Sequence, residues 1–158
     1  MLKPDAVFGL DEWVMTDQFD ANNHEHRVLR DRIERGNGLA KMPLLGDVRS
    51  GLRHCGFEIT HDENIELRSK PGPWYYPILG MLRYATCLED VKTALPMERR
   101  IMVPMTDLYY RLLVKLKVVP PEFIDGFEIM KTCTESVARG SQKGVYSSMW
   151  VFIAKNKK

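Results

Sequence analysis

Residues 6–15 read AVFGLDEWVM, an apolar and partly aromatic run that is interrupted by one acidic pair, Asp11 and Glu12. A β-strand of this composition is typically buried on both faces, with helices packed on each side of its sheet. Two further segments are predicted as strands, residues 57–66 with alternating polarity and residues 145–154 with two apolar faces. Three strands separated by helical segments predict an α/β fold, close to α+β, with a small three-stranded mixed sheet.

The segments between the first two strands carry helix signals. Asn22 or Asn23 is predicted as the N-cap of a first helix, which Gly36 or Gly38 ends. Asp47 is predicted to cap a short second helix. These signals place two helices between the first strand and the second.

A helical block is predicted over residues 74–139. The stretch SKPGPWYYP, which contains three prolines and a glycine, predicts a rigid irregular loop at its start. Apolar residues at helical spacing between 97 and 118 predict one helix, with Pro104 as a kink or as its start. Pro121 is predicted at the start of the next helix, which Gly140 ends.

Composition limits the possible classes of function. The chain has 158 residues, of which 44% are hydrophobic and 28% charged, and this suits one domain that buries its own core. A net charge of +2 predicts no nucleic-acid partner, because such partners require a basic surface. No secretory signal and no run of about 20 apolar residues is visible, so we expect a cytoplasmic chain without a membrane span. Three widely spaced cysteines are expected to be reduced thiols: Cys55, Cys87 and Cys133.

Several strand ends and loops carry side chains that could form a site. His24 and His26 stand two residues apart and cannot converge on a metal ion, so no metal site is predicted. Each other candidate also has a structural interpretation, as a capping acid, a core residue or a loop anchor. The candidate catalytic residues are Glu12, His61 and Tyr76, and the candidate substrate-binding residues are Trp13, Met15, Asp17, Trp74, Tyr75, Met105 and Tyr109.

Five stretches of the sequence together resemble one family. They are LKPDAVFGLDEWVMTDQFDANNHEH, IERGNGLAKM, LRHCGFEI, PWYYPI and VARGSQKGVYSSMWVFIAK. The chain resembles the C-terminal half of a class I, S-adenosylmethionine-dependent methyltransferase and, more narrowly, of the sterol C-24 methyltransferase family. The resemblance covers nearly the whole chain. It implies one domain over 1–158: a remnant of the Rossmann-like C-terminal half (1–68), a helical insertion (69–140), and the final strand and tail (141–158).

The departures from the family concern the cofactor. The glycine-rich turn that brings the backbone close to a bound cofactor after a first strand is not visible in this sequence. Asn37 stands between two glycines where the family usually has aspartate, and Asp5 stands where it has glycine. The resemblance therefore implies a truncated methyltransferase fold that holds no cofactor by itself. The initial Met and the match to the family's last strand lead us to expect a complete short protein.

Two hypotheses for the function follow. In the first, the chain is a cofactor-independent enzyme that binds a terpenoid or polyene and promotes its cyclisation or isomerisation, as a pericyclase or Diels–Alderase does, by pre-orientation in an apolar pocket. This pocket would lie where the fifth and sixth strands of the family end, beneath the loop PWYYP. In the second, the chain is a sterol-binding module, or the C-terminal piece of a split methyltransferase that needs a partner chain for S-adenosylmethionine.

The resemblance also implies an exposed strand edge. The strand at 6–15 corresponds to the fifth strand of the family, and its neighbour, the fourth, has no counterpart in this chain. An apolar edge with unpaired backbone groups invites pairing. We therefore expect the edge to be covered by the same edge of a second copy, giving a homodimer, or by a separate N-terminal chain.

Overall fold

The structure of the chain, a computed structural model, describes residues 3, 5–68, 72–94 and 103–157, with the side chains of all of these except 67 and 92–94. The elements follow in the order β1 (Val7–Met15), α1 (His24–Asn37), α2 (Leu45–His54), β2 (Phe57–Asn64), α3 (Leu88–Ala94), α4 (Val103–Lys115), α5 (Glu122–Gln142) and β3 (Tyr146–Asn156). Short 3₁₀ helices lie at Ile65–Arg68 and Leu82–Tyr84.

The three strands form one sheet in the order β1-β3-β2, and β3 pairs antiparallel with both neighbours. The predicted α/β class and the three strands are confirmed. The sheet is antiparallel throughout rather than mixed, because β3 returns between two strands that run parallel to each other. The carboxyl ends of β1 and β2 therefore lie at the same end of the sheet as the start of β3. We call this end of the strands the carboxyl edge, as distinct from the outer edge of β1.

A bulge near the carboxyl edge separates two cores. Glu12 pairs with Trp150 but Val14 pairs with Ser147, so β3 contains one residue more than β1 at this point. Side chains alternate between the faces of a strand, and a bulge re-aims them. The buried residues accordingly fall into a core beneath α2, made of Val14, Leu45, Leu52 and Phe152, and a second core that includes α1, made of Met15, Ile33, Met42 and Tyr146.

The ends of the helices show which sequence signals were sufficient to predict a helix boundary. The Asn23 side chain accepts hydrogen bonds from the backbone N–H groups of the first turn of α1, and Gly38 ends this helix with φ 64°. Asp47 was predicted wrongly as a cap, because α2 begins at Leu45 and Asp47 lies within its first turn.

Gly140 was also predicted wrongly as a helix end. It lies inside α5, where an added Cβ would meet the Cβ of Tyr146 at 2.9 Å, so its small size serves packing.

The helical block agrees in part with its prediction. Pro104 follows Val103, where the described part of α4 begins, and residues 97–102 of the predicted helix lie outside the described residues, so Pro104 as a kink or as a helix start stays a prediction. Pro121 immediately precedes α5. None of the helices in the described ranges is long and apolar enough to cross a membrane.

The contact between α1 and α5 yields a first prediction. An added Cβ at Gly36 would lie 2.1 Å from the Cβ of Cys133, so the two helices would have to separate. We expect Gly36→Ala to lower the free energy of unfolding by about 1–3 kcal/mol. The matched control is Gly126→Ala in α5, where nothing lies within 4 Å of the added Cβ and the gain in helix propensity should stabilise by roughly 0.5–1 kcal/mol. Urea denaturation followed by circular dichroism measures both, and a Gly36→Ala variant as stable as the parent would contradict the described contact.

Candidate functional site

An arginine of α2 connects the two strand ends. Arg49 Nη1 donates to Asp17 Oδ2 at 2.6 Å, and Arg49 Nε donates to Asp62 Oδ2 at 2.6 Å. Asp17 follows β1 and Asp62 belongs to β2, so the structure brings the predicted residue Asp17 to the end of the second strand. The contact is an ion-pair clamp on the α2 side of the sheet rather than part of a pocket beneath the aromatic loop.

The clamp fixes the ionisation of Asp62. Burial raises the pKa of this carboxyl, but hydrogen bonds from Arg49 and from the Trp150 indole N–H, the latter at 2.7 Å, outweigh burial and lower the pKa below its ordinary value. The pKa of Arg49 is raised, chiefly by its hydrogen bond to Asp62. Asp62 is therefore a structural carboxylate and a poor general acid.

Acid should weaken this clamp. Because the pKa of Asp62 is lower in the folded chain than in the unfolded chain, its stabilisation is present above the unfolded pKa of about 4 and is lost as the pH falls through the folded pKa. We expect Asp62→Asn to lower the free energy of unfolding at pH 7 by about 1–3 kcal/mol. The difference between parent and variant should shrink below roughly pH 4.

Denaturant titrations from pH 7 to pH 3 measure this dependence. Asp31→Asn is the control, because Asp31 is 66% exposed and lies 3.7 Å from Arg30 in a surface ion pair that should contribute little. A difference between parent and Asp62→Asn that does not change with pH would contradict the clamp.

A second carboxylate at the carboxyl edge is almost completely buried. Glu66 is 4% exposed and lies in the 3₁₀ helix that follows β2. Its Oε1 accepts hydrogen bonds from the backbone N–H and the hydroxyl of Ser148, both at 2.7 Å, and from the Ser141 hydroxyl at 3.4 Å. Buried carboxylates are rare outside functional sites and ion pairs. No ion pair of Glu66 occurs within the described part of the chain.

Two tyrosines lie close enough to Glu66 for its charge to affect them. Burial raises the pKa of Tyr146 far above its ordinary value, and the negative charge of Glu66 raises it further. Burial also raises the pKa of Tyr75, followed by smaller effects of Tyr84 and Glu66. Both phenols are therefore neutral hydrogen-bond donors at neutral pH. We call Glu66, Tyr75, Ser141, Tyr146 and Ser148 the Glu66 site.

Two buried polar atoms, one of Tyr146 within this site and one of Trp74 next to Tyr75 in the chain, lack partners among the described residues. The Tyr146 side chain is fully buried, and its hydroxyl has no hydrogen-bond partner among the described residues. The indole N–H of Trp74 is likewise buried without a partner there. An unpaired buried donor costs about 1–3 kcal/mol, so such groups call for a functional explanation.

The aromatic loop 74–76 serves both structure and the site. The rings of Trp74 and Tyr75 meet edge to face with centroids 5.9 Å apart, and both residues are half-buried. Tyr76 is only 9% exposed and packs on Tyr84 at 6.2 Å, so it anchors the loop to the core. Trp74 and Tyr75 therefore remain the members of the loop that a ligand could contact.

The other candidate catalytic residues do not join this group. Glu12 pairs with Trp150 and His61 pairs with Ile153 in continuous ladders, so their side chains lie on opposite faces of the sheet. His61 Nε2 lies 3.0 Å from Glu63 Oε2 on the surface. The three candidate catalytic residues thus occupy three separate places.

Glu12 and Trp13 line a cavity of their own at the outer edge of β1. It has a volume of about 350 Å³ and is completed by Asn37, Leu39, Met42 and Pro43. The Glu12 carboxylate accepts the backbone N–H of Trp13 at 3.1 Å, and the Trp13 ring meets Tyr146 edge to face at 6.2 Å. A second cavity of about 390 Å³, beside Phe57 and Ile59, contains none of the candidate residues.

Three candidate substrate-binding residues lie in different surroundings. Met15 is fully buried in the second core. Met105 and Tyr109 are 59% and 57% exposed on the outer face of α4. Across the described ranges, no group of His, Cys, Asp and Glu residues is arranged to hold a metal ion.

Curated relatives of this chain show the family to which it is similar. Sterol 24-C-methyltransferase erg-4 of Neurospora crassa is 32% identical to the chain over 158 residues, a match that covers 98% of this chain and 41% of that protein. The chain matches the C-terminal half of sterol 24-C-methyltransferases.

Other sterol 24-C-methyltransferases show the same relation. The protein of Yarrowia lipolytica is 31% identical, and ERG6 of Saccharomyces cerevisiae is 30% identical, each over 98% of this chain and 40% of its own length. No protein-family model and no solved structure gives a significant match. The resemblance is thus confirmed, and the chain spans about two fifths of the length of the relatives it matches.

Proposed function

We propose that the chain forms the acceptor side of a sterol methyltransferase cleft, where it binds a sterol or a related terpenoid between the aromatic loop and the Glu66 site. The observation that carries this proposal is the buried Glu66 carboxylate, whose charge, in addition to burial, raises the pKa of the Tyr146 and Tyr75 phenols. The Trp74 ring in turn meets Tyr75 edge to face. Ligand sites combine apolar walls with a few placed polar groups, and a sterol has one hydroxyl on a large apolar body. The named activity of the relatives supports this ligand class.

Each part of this site has a distinct chemical task. Trp74 and Tyr75 present flat apolar surface to a polycyclic body, and their rings stabilise any positive charge that develops on it. The Tyr146 hydroxyl and the Trp74 N–H are donors without partners among the described residues, and a ligand oxygen would satisfy them. Methyl transfer would also require a side that holds S-adenosylmethionine, and we propose that a partner supplies it.

The open edge of β1 supports a protein partner. At the carboxyl end the edge is closed, because the Met15 N–H donates to the Pro43 carbonyl at 2.9 Å and Met15 forms a parallel bridge with Leu44. The predicted open edge was therefore wrong at this end. Between Val7 and Asp11, no backbone hydrogen bond reaches a described residue on that side. We propose that a strand of a separate N-terminal chain, or of a second copy in a homodimer, pairs there.

Cyclisation or isomerisation without a cofactor stays a prediction from the sequence. It assigned Glu12, His61 and Tyr76 to one substrate, whereas Glu12 and His61 lie on opposite faces of the sheet and Tyr76 is a core anchor. Since no described contact favours this chemistry over binding, we give sterol binding as the function that the geometry supports best.

Titration of the chain with a fluorescent sterol tests the proposal. We expect binding by the parent and a loss of affinity of about tenfold or more in Trp74→Ala/Tyr75→Ala, because a buried aromatic ring contributes well over 1.4 kcal/mol. Tyr109→Ala is the matched control, since Tyr109 is an exposed ring on α4. Unchanged affinity in this control would remove Tyr109 from the ligand site. Thermal unfolding checks that each variant is folded.

Glu66→Gln separates the polar part of the site from the apolar wall. The amide keeps the shape of the side chain but removes the charge beside the two phenols. We expect weaker binding of the sterol with little change for its 3-deoxy analogue, because only the former carries the hydroxyl. Equal losses for both ligands, or sterol affinity that neither Glu66→Gln nor Trp74→Ala/Tyr75→Ala reduces, would contradict the proposed site.

A further inference from the structure

The cavity at the outer edge of β1 shares no lining residue with the Glu66 site or with the aromatic loop. Its volume is about 350 Å³, which lies near the lower end of the range for small-molecule sites. We call it the Glu12 cavity, and the described residues that line it are Glu12, Trp13, Asn37, Leu39, Met42 and Pro43.

A bulge brings two neighbouring side chains of β1 to this cavity. Consecutive residues of a regular strand point to opposite faces, but the register of β1 against β3 shifts between Glu12 and Val14. Glu12 and Trp13 both line the cavity as a result. The Glu12 carboxylate is held in place by the Trp13 backbone N–H, which donates to it at 3.1 Å. A carboxylate and an indole ring thus border the same space.

The charge of Glu12 has no counter-ion in the described part of the chain. The half-buried carboxylate forms no ion pair there, and its one hydrogen bond comes from an uncharged N–H. Among the described lining residues Glu12 is the one charged group. Its charged neighbours along the chain do not change this, because Asp11 lies on the other face of β1 and the exposed Lys41, beside Met42, forms no ion pair with it. The cavity therefore favours a cationic ligand over a neutral one or an anion.

The polar groups of the cavity are too few for a strongly hydrated ion. The amide group of Asn37 already donates to the Ile33 carbonyl at 2.9 Å and to the Cys133 sulfur at 3.3 Å. The oxygen acceptors left on the described lining side chains are those of Glu12 and Asn37. A primary ammonium has three N–H donors to satisfy, and a metal ion takes about four to eight ligands, so the cavity suits neither.

The remaining walls suit a cation that carries methyl groups. Leu39, Met42 and Pro43 are apolar, and the Trp13 side chain beside them leaves part of its ring accessible, since this residue is 39% exposed. A quaternary ammonium group has no N–H to satisfy, and its methyl groups pack well on apolar side chains. An indole ring attracts such a cation more strongly than other aromatic side chains do.

We infer that the Glu12 cavity binds a small quaternary ammonium compound. Its positive charge lies between the Glu12 carboxylate and the Trp13 ring, and its methyl groups contact the apolar walls. This inference goes beyond sterol binding and does not depend on it, because the two sites share no lining residue and an uncharged sterol brings no cation.

Titration of the full chain with choline, followed by nuclear magnetic resonance of the backbone amides, tests the inference. The comparison ligand is the uncharged tert-butyl isostere of choline, in which carbon replaces the nitrogen, and sodium chloride keeps the ionic strength constant. We expect choline to bind about fivefold or more tightly than the isostere, because only choline offers a cation to Glu12 and Trp13. Glu12→Gln and Trp13→Leu should each lower the affinity for choline about fivefold, and Glu12→Gln should leave that for the isostere unchanged.

Asp11→Asn is the matched control. It removes the same charge from the neighbouring residue, whose side chain lies on the other face of β1, so this variant should bind choline like the parent. Glu12→Gln keeps an oxygen that accepts the Trp13 N–H, and it therefore tests the charge even if loss of the Trp13 ring unfolds the chain. Thermal unfolding shows whether each variant is folded.

The inference is wrong if the parent binds no choline or binds the uncharged isostere equally well. A folded Glu12→Gln or Trp13→Leu variant with the affinity of the parent would also overturn it. So would an Asp11→Asn variant that loses as much affinity as Glu12→Gln, because choline would then respond to the general charge of this edge and not to the cavity.

Discussion

The position of β3 between β1 and β2 determines where Glu66, Tyr146 and Ser148 lie at the carboxyl edge. Because β3 enters the sheet at this edge, its first residues, Tyr146 and Ser148, lie beside the points where the two parallel strands end. Glu66, two residues beyond β2, then reaches the Ser148 N–H and hydroxyl. The bond to Ser141 adds the end of α5 to the same carboxylate. One strand thus gathers a loop, a helix and a buried acid into the Glu66 site.

The sequence was sufficient where a feature depends on neighbours along the chain. Asn23 caps α1 through backbone groups two and three residues away, and Gly38 adopts a left-handed conformation that glycine tolerates. The sequence was insufficient where contacts between distant segments decide the structure. Asp47 has the residue type of a cap, but the segment before it bridges to β1 and lets α2 begin earlier, at Leu45. Glu66 stands between Ile65 and Leu67 in the sequence, a hint of burial that only the contact with β3 turns into a site.

The candidate residues show the same division. Adjacent rings in a proline-fixed loop led to Trp74 and Tyr75 as candidates, and both are half-buried there, but their contact with a ligand stays a prediction. Assigning Glu12 and His61 to one pocket required the relative positions of two strands that do not touch, and β3 between them places the two side chains on opposite faces. Residue types therefore indicated candidate chemistry, whereas the register of β3 decided which candidates could act together.

The two carboxylates near the carboxyl edge differ in how their charge is compensated. Asp62 receives a bidentate guanidinium, at 2.6 and 3.2 Å, and an indole N–H, so a cation that it shares with Asp17 lies directly against it. Glu66 is more deeply buried, yet within the described part of the chain it is held only by neutral donors from serines. Neutral donors satisfy lone pairs but leave the net charge in place, and burial makes that charge act strongly on its surroundings. An arrangement of this kind favours a ligand that brings a hydroxyl donor or developing positive charge to the site. A structural ion pair such as that of Asp62 does not favour such a ligand.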